Sequence, residues 1–364
     1  MKVALIHDWL TGMRGGEKVL ESLCELFPDA PIFTLIHVPG SVSAKIESHP
    51  IHTSFLQRIP MIKKQYRNYL PLFPSAIESF DLQDYDFILS SSHCVAKGII
   101  PAPATKHLCY CHTPMRYIWS HYYDYFGDHR LGFVKRKTVS FVANYLRLWD
   151  IASNNRVDHF VANSQFVAGR MKRYYGKESS VIYPPVDVDF YEPSDRPPDD
   201  FYLIVSALVP YKRLELAIQA FNKMKKQLII VGTGPDGVKL RRLAYSGIKF
   251  LGHVTAEKLR ELYQSAKGLI QPGVEDFGIN IVEALASGCP IIAYHEGGAT
   301  ETVRDQETGL FFNHFDVEEL CHTIDKFERM RFNKPLMREG ALRFSPGRFQ
   351  SELKLLIQQK FFDA

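Results

Sequence analysis

Short apolar runs alternating with helix-patterned segments occur twice along this chain, with a proline-rich stretch between the two series. In the first series, residues 2–9, 31–36, 85–92, 106–111, 158–163 and 180–183 read as strands bounded by turn residues. Helices are expected over 17–27, 141–154 and 166–175, the first from Val19, Leu20, Leu23, Cys24 and Phe27 at helical spacing. The second series has strands at 201–207, 227–231, 248–254, 267–272 and 290–294, and helices at 214–224, 238–246, 256–266 and 317–328. Strands separated in this way by helices pair in parallel through right-handed crossovers, so each half is expected to be a Rossmann-like α/β domain. Pro184-Pro185 and Pro193, Pro197 and Pro198 mark the linker. The expected division is 1–190, 191–345 and 346–364, the last part an amphipathic helix that could pack back on the first domain.

A chain of 364 residues suits two domains of ordinary size, and 46% hydrophobic with 23% charged residues is a globular composition. The net charge of +4 is too small to imply bulk nucleic-acid binding. Six cysteines, at 24, 94, 109, 111, 289 and 321, fall mostly in strand or helix patterns and are expected as buried free thiols. The start shows no signal-peptide pattern, and no apolar run approaches the roughly 18 residues of a membrane span. The expected location is cytoplasmic, with peripheral attachment to the inner face of a membrane left open.

Residues 273–290 carry the densest signal. Glu275 and Glu283 stand eight positions apart, with Gly278 where a helix can begin and Gly288 then Pro290 where it stops. Glu275 is placed in the loop at the carboxyl end of a strand and Glu283 midway along the next helix, where open α/β sheets bind ligands. At the other end of the chain, Thr11-Gly12-Met13-Arg14-Gly15-Gly16 joins the first strand to the first helix. Such a turn lets backbone amides approach a phosphate at a helix N-terminus. The plainer reading is a tight turn that needs glycine for its backbone angles.

Two other patterns compete. Gly232-Thr233-Gly234-Pro235-Asp236-Gly237 fits G-x-G-x-x-G, yet it lies in the second βα unit of its half, and the next strand ends at Gly252-His253-Val254 without an acid for a ribose hydroxyl. Cys109, Cys111 and His112 lack a second ligand pair at zinc spacing, so no metal site is expected.

Glu275 and Glu283, in Glu-Asp-Phe-Gly-Ile-Asn-Ile-Val-Glu, match the E-x7-E motif of the family 4 glycosyltransferases, retaining enzymes of the two-domain GT-B fold. Ser206 to Arg213 resembles that family's phosphate-binding turn, Val231 to Pro235 its nucleotide-edge loop, and Cys111-His112-Thr113-Pro114 the loop with its sugar-contacting histidine. The wording around 110–117 and 209–213 looks closest to mannosyltransferases of bacterial surface-polysaccharide assembly. The resemblance implies two Rossmann-like domains with parallel sheets facing across a cleft. It further implies His112, Lys212 and Glu275 as catalytic residues. The nucleotide-sugar donor would meet Gly15, Gly16, Lys212, Arg213, Gly232, Gly234, Val254, Glu275, Phe277, Gly278, Ile279 and Glu283. Arg14, Arg116 and Tyr117 would meet the acceptor. Glu275 would hold sugar hydroxyls and Glu283 the ribose, while Lys212 neutralises the departing diphosphate.

Many family members have an arginine five positions before this lysine, where this chain has Ala207; Arg213 is the expected substitute. No carboxylate is placed as a nucleophile, and retention is expected through a front-face route in which the leaving phosphate helps deprotonate the acceptor hydroxyl. Asp84-Tyr85-Asp86 resembles the metal-binding D-x-D of the other glycosyltransferase fold but precedes its strand. No metal or cofactor is therefore expected.

The expected activity is transfer of a hexose, mannose from GDP-mannose by resemblance, to a saccharide or polyprenyl-diphosphate-linked acceptor, with no nucleic-acid partner. A dehydrogenase using NAD(P) and a non-catalytic nucleotide-sugar-binding subunit are the alternatives. Met61, Ile62, Tyr66, Tyr69, Leu70 and Phe73 fall on one side at helical pitch and Lys63, Lys64 and Arg67 on the other. The 58–73 segment thus either lies on an anionic membrane or packs on the first domain. Tyr117, Trp119, Tyr122, Tyr123, Tyr125 and Phe126, followed by Lys135-Arg136-Lys137, form a second aromatic and basic patch.

Overall fold

The computed structural model describes residues 1–127 and 132–363 and divides the chain into two compact units, Val186–Ser345 and the remainder. The first unit holds a seven-stranded sheet: β1 (Val3–His7), β2 (Ile32–Thr34), β3 (Ile51–Thr53), β4 (Phe87–Ser92), β5 (Lys106–Cys111), β6 (His159–Ala162) and β7 (Ser180–Val181). The second holds six strands: β8 (Tyr202–Val205), β9 (Leu228–Val231), β10 (Ile248–Gly252), β11 (Leu269–Gln271), β12 (Ile291–Tyr294) and β13 (Gly309–Phe312). Strand orders are β3-β2-β1-β4-β5-β6-β7 and β10-β9-β8-β11-β12-β13, and every pairing is parallel. Both are doubly wound orders, and each reverses once, between β1 and β4 and between β8 and β11.

The strands are short and apolar because both faces of each sheet are covered. Ala4 and Ile6 enter one core cluster of the first unit and Leu5 another on the opposite face. The closing helix Pro346–Ile357 completes the second of these, burying Phe349, Leu353 and Ile357 beside Leu5, Leu20, Leu23 and Tyr110. Each side chain so buried stabilises by about 1.5–3 kcal/mol. Arg348 donates to the Tyr183 carbonyl (2.8 Å), and the Tyr110 and Phe349 rings meet edge to face at 5.6 Å.

Residues 61–73 do not form one amphipathic helix. Met61 adopts a left-handed backbone, Ile62–Gln65 makes a single turn, and the 3₁₀ segment Tyr66–Leu72 contains Pro71, whose missing N–H breaks the ladder. Ile62, Tyr66 and Phe73 are buried, with Tyr66 against Trp9 at 5.1 Å, so this segment is a packing element of the first unit; the Lys64 side chain lies outside the described residues. All six cysteines are buried free thiols. Among the described residues no helix is long and apolar enough to cross a membrane. The proline-rich stretch is also not a free tether. Arg338 donates to the carbonyls of Val188 (2.8 Å) and Tyr191 (3.1 Å), and Gln264 to that of Glu192 (2.7 Å), strapping it to the second unit.

His107, fully buried on β5, donates Nδ1–H to the Arg156 carbonyl (2.8 Å) and accepts at Nε2 from Ser90 (2.8 Å). Burial pushes its pKa from 6.5 down to about 4. Between those values the unfolded chain binds the extra proton, so stability falls as pH drops through this window, by about 3 kcal/mol in total. Thermal unfolding across that range should therefore show a slope that His107→Gln flattens.

Candidate active site

Of the residues singled out in the sequence, Gly15 and Gly16 follow β1 and Lys212 and Glu275 follow β8 and β11, at the strand-order reversals, while His112, Arg116 and Tyr117 follow β5, Gly232 and Gly234 follow β9 and Val254 follows β10. In the first unit the helix Gly15–Leu26 starts soon after β1, and Glu17 accepts from the Arg14 amide (3.0 Å), leaving the Gly15-Gly16 amides at the helix start. Gly16 borders both histidine rings: a Cβ there would lie 3.4 Å from His7 and 3.7 Å from Nε2 of His112, ordinary contact distances. The Ser91 hydroxyl links those two rings, 3.1 Å from His7 Nδ1 and 2.8 Å from His112 Nε2. Burial, with His93 and His7 adding to it, drives the His112 pKa well below the usual histidine range, so this ring is neutral near pH 7. A neutral imidazole can bond a sugar hydroxyl but cannot counter a phosphate charge.

Beside these rings lies a feature that the motif reading missed. Asp8, fully buried at the end of β1, accepts from the amides of His93 (2.7 Å), Cys94 (3.0 Å), Val95 (2.6 Å) and Ala96 (2.8 Å), and from His93 Nδ1 at 2.9 Å. Burial by itself would raise this carboxyl, but the His93 ring and its hydrogen bonds, with His7, outweigh it and hold Asp8 well below the usual range. Asp8 thereby fixes the orientation of the His93 ring, with Nδ1–H directed at its carboxylate. The available signal was a polar pair, His7-Asp8, ending an apolar run, and Ser90 to His93 ending another. Arg14 is exposed, while Arg116 and Tyr117 are half-buried in the loop after β5.

In the second unit Lys212 ends the 3₁₀ turn Pro210–Lys212 after β8 and is 9% exposed. Its ammonium pairs with Glu275, which also accepts from Gln271 Nε2 (2.5 Å). Asn280 then donates to Gln271 Oε1 (3.0 Å) and the Val205 carbonyl (2.9 Å), tying three elements into one network. Sequence reasoning named Lys212 and Glu275 and missed Gln271 and Asn280. Gly278 begins helix Ile279–Ala286 with φ of 89°, a left-handed conformation that favours glycine. Phe277 is buried against Phe344 at 5.3 Å, whereas Ile279 and Val254 are half-buried.

Four of the expected donor residues have marked contacts within the protein itself. Arg213 does not join Lys212: its left-handed backbone (φ 54°) turns the guanidinium over the Phe315 ring at 5.1 Å. Gly232 and Gly234 are required by close packing, since a Cβ on either would strike the backbone at Ser206 (1.9 Å) or Leu208 (2.4 Å). Glu283 is 3% exposed and accepts from Tyr263 (3.1 Å) and from Tyr191, which leaves its carboxylate lone pairs for a further hydroxyl. Among the described residues no group of three or more His, Cys, Asp or Glu is placed to hold a metal ion. Asp86 of the D-x-D pattern instead accepts from the Lys2 amide (2.7 Å) at the amino end of β4.

Residues 190–340 match the family described as glycosyl transferases group 1, and residues 13–190 match glycosyltransferase family 4. The chain belongs to the group 1, family 4 glycosyltransferases. Curated relatives within this family include D-inositol 3-phosphate glycosyltransferases. That of Mycobacterium sp. (strain KMS) is 28% identical over 196 residues, covering 47% of this chain and 45% of the relative. That of Mycobacterium tuberculosis (strain F11) is 28% identical over 201 residues, covering 48% and 42%. The match spans less than half the length of those relatives. Solved structures share the fold. Anabaena HepE, in complex with UDP and glucose, superposes with a TM-score of 0.71 at 18% identity over 98% of this chain and 99% of that one. The lipopolysaccharide outer core galactosyltransferase WaaB gives 0.66 at 15% identity over 99% and 100%. Sucrose-phosphate synthase from Thermosynechococcus elongatus gives 0.70 at 18% over 100% of each. The two Rossmann-like units of this family 4 chain are thus the two α/β domains of the GT-B fold.

Proposed function

We propose that the chain transfers a hexosyl group from a nucleoside-diphosphate sugar to a hydroxyl of a saccharide or lipid-linked acceptor, with retention and without a metal. The observation that carries this reading is the partly buried Lys212–Glu275–Gln271–Asn280 network at the β8/β11 reversal. The acceptor oxygen bonds to the anomeric carbon while the carbon–phosphate oxygen bond breaks and its electron pair leaves on the diphosphate. The acceptor proton passes to that leaving phosphate. Lys212 supplies the fixed positive charge where negative charge develops. Both Glu275 oxygens are already engaged, one by Lys212 and one by Gln271, which favours a hydroxyl clamp over a covalent nucleophile. A trapped glycosyl adduct on Glu275 would overturn retention by the front-face route.

GDP-mannose is the donor we favour, on the wording of residues 110–117 and 209–213, and a surface glycan is the product class. A panel of GDP, UDP and ADP sugars read by thermal shift tests both donor base and class. The matching donor at about 100 times its dissociation constant stabilises the chain by about 2.7 kcal/mol. A UDP sugar as the sole stabiliser would replace the GDP assignment, and stabilisation by none would remove the transferase reading.

A further inference from the structure

Four side chains of the first unit form one line from the start of the helix Gly15–Leu26 to the loop after β5. Glu17 Oε1 lies 3.9 Å from His7 Nε2, His7 Nδ1 lies 3.1 Å from Ser91 Oγ, and Ser91 Oγ lies 2.8 Å from His112 Nε2. Glu17, His7 and Ser91 are all buried. His7 Nε2 has no hydrogen-bond partner, and the charged group it meets is the Glu17 carboxylate. Burial by itself would raise that carboxyl, but the His7 ring, with His93, outweighs it and holds Glu17 below the usual range, so it is ionised near pH 7. At the other end of the line, His112 Nδ1 makes no hydrogen bond among the described residues. The ring is half-buried, which leaves this nitrogen for a ligand.

One hydrogen decides the direction of these bonds. The Ser91 hydroxyl carries a single proton and stands between two ring nitrogens, so it donates to one and accepts from the other. If it donated to His112, His7 would carry its proton on Nδ1 and turn an Nε2 lone pair toward a carboxylate. Charge repulsion in a buried site disfavours that arrangement. We propose that the Glu17 carboxylate selects the opposite direction: His7 holds its proton on Nε2, Ser91 donates to His7 Nδ1, and His112 donates Nε2–H to Ser91. His112 Nδ1 is thereby kept as a hydrogen-bond acceptor, with Glu17, His7 and Ser91 as its positioning residues. The ring then reads a sugar hydroxyl as a donor and rejects a group in its place that has no proton to give. The sugar contact rests on the transferase reading of this site; the direction of the bonds does not.

Isotope-labelled histidine nitrogens, read by NMR in the full chain at about pH 8, where an ordinary imidazole is neutral, test the direction. With the signals assigned through His7→Gln and His112→Gln, both rings should show the Nε2–H tautomer. Ser91→Ala removes the link, and Glu17→Gln removes the charge while keeping an oxygen for the Arg14 amide. Each should shift His112 toward a mixture of tautomers and lower kcat about three- to tenfold, the worth of one neutral hydrogen bond. A packing role alone would leave the His112 tautomer as in wild type. Calorimetry with donor analogues tests the contact. The hydroxyl that meets His112 is the one whose removal weakens binding to wild type but not to His112→Ala. A donor with fluorine at that position should bind wild type as weakly as the deoxy donor, since fluorine has no proton to give. An Nδ1–H tautomer of His112, a doubly protonated His7, or an unchanged His112 tautomer in Ser91→Ala overturns the proposal. A fluorinated donor that binds like its parent overturns the acceptor role of Nδ1. The expected tautomers in a chain that binds no nucleotide sugar would confirm the direction and remove the transferase reading.

Discussion

Lys212→Ala should lower turnover roughly 10²- to 10³-fold, the usual effect of removing one fixed, preorganised group aimed at developing charge. The lysine is held in a nearly closed position by Glu275, whose other oxygen is tied through Gln271 and Asn280 to the end of β8. Truncation removes the cation and frees one carboxylate oxygen, so the loss should fall on kcat more than on donor KM. Lys212→Arg should recover little, because a planar guanidinium does not fit where a compact ammonium sits 9% exposed. Arg213→Ala provides the contrast. Its guanidinium rests on Phe315, outside the network, and turnover should stay within about threefold of wild type. Steady-state kinetics with the donor found by thermal shift would decide; near-normal kcat in Lys212→Ala sinks the assignment.

The second large effect is on stability. Asp150→Ala should cost about 3–5 kcal/mol in denaturant unfolding, because it strands a buried ammonium. Lys97 is 1% exposed and donates to the Asp150 carbonyl (2.6 Å), Ser153 Oγ (2.7 Å) and the Asp150 carboxylate (3.0 Å), with the Tyr175 ring at 4.9 Å. Lys97→Met leaves the carboxylate its Trp119 and Tyr175 donors and should cost less. Removing both charges, as Lys97→Met/Asp150→Leu, should also cost less than Asp150→Ala alone, since the penalty lies in the unpaired charge. A cost below about 1 kcal/mol for Asp150→Ala would show that water reaches the pair.

The contrast between these two networks shows what a sequence of this kind discloses. The doubly wound class was legible because buried parallel strands leave short apolar runs between helices; Glu275 stood out by its place in a strand-end loop, whereas Lys212 was named only through the resemblance of residues 206–213 to a family turn. Strands β3 and β13 were not legible. Ile51–Thr53 is only three residues long, and Gly309–Phe312 follows a turn with no periodicity of its own. The tilt of Arg213 toward Phe315 follows from a left-handed backbone that no residue pattern announces. Asp8 was missed for another reason: its four amide donors come from residues 93–96, far along the chain, and only folding brings them together.

Because Phe349, Leu353 and Ile357 belong to the first core, the polypeptide enters the second unit at Val186 and returns after Ser345. During synthesis the second unit thus has all of its residues before the first does. On the ribosome the amino-terminal sheet must wait, with Leu5, Leu20 and Leu23 incompletely covered, until the last helix emerges. Early termination anywhere before Pro346 would leave that apolar surface bare, making such fragments prone to aggregation and dependent on chaperones.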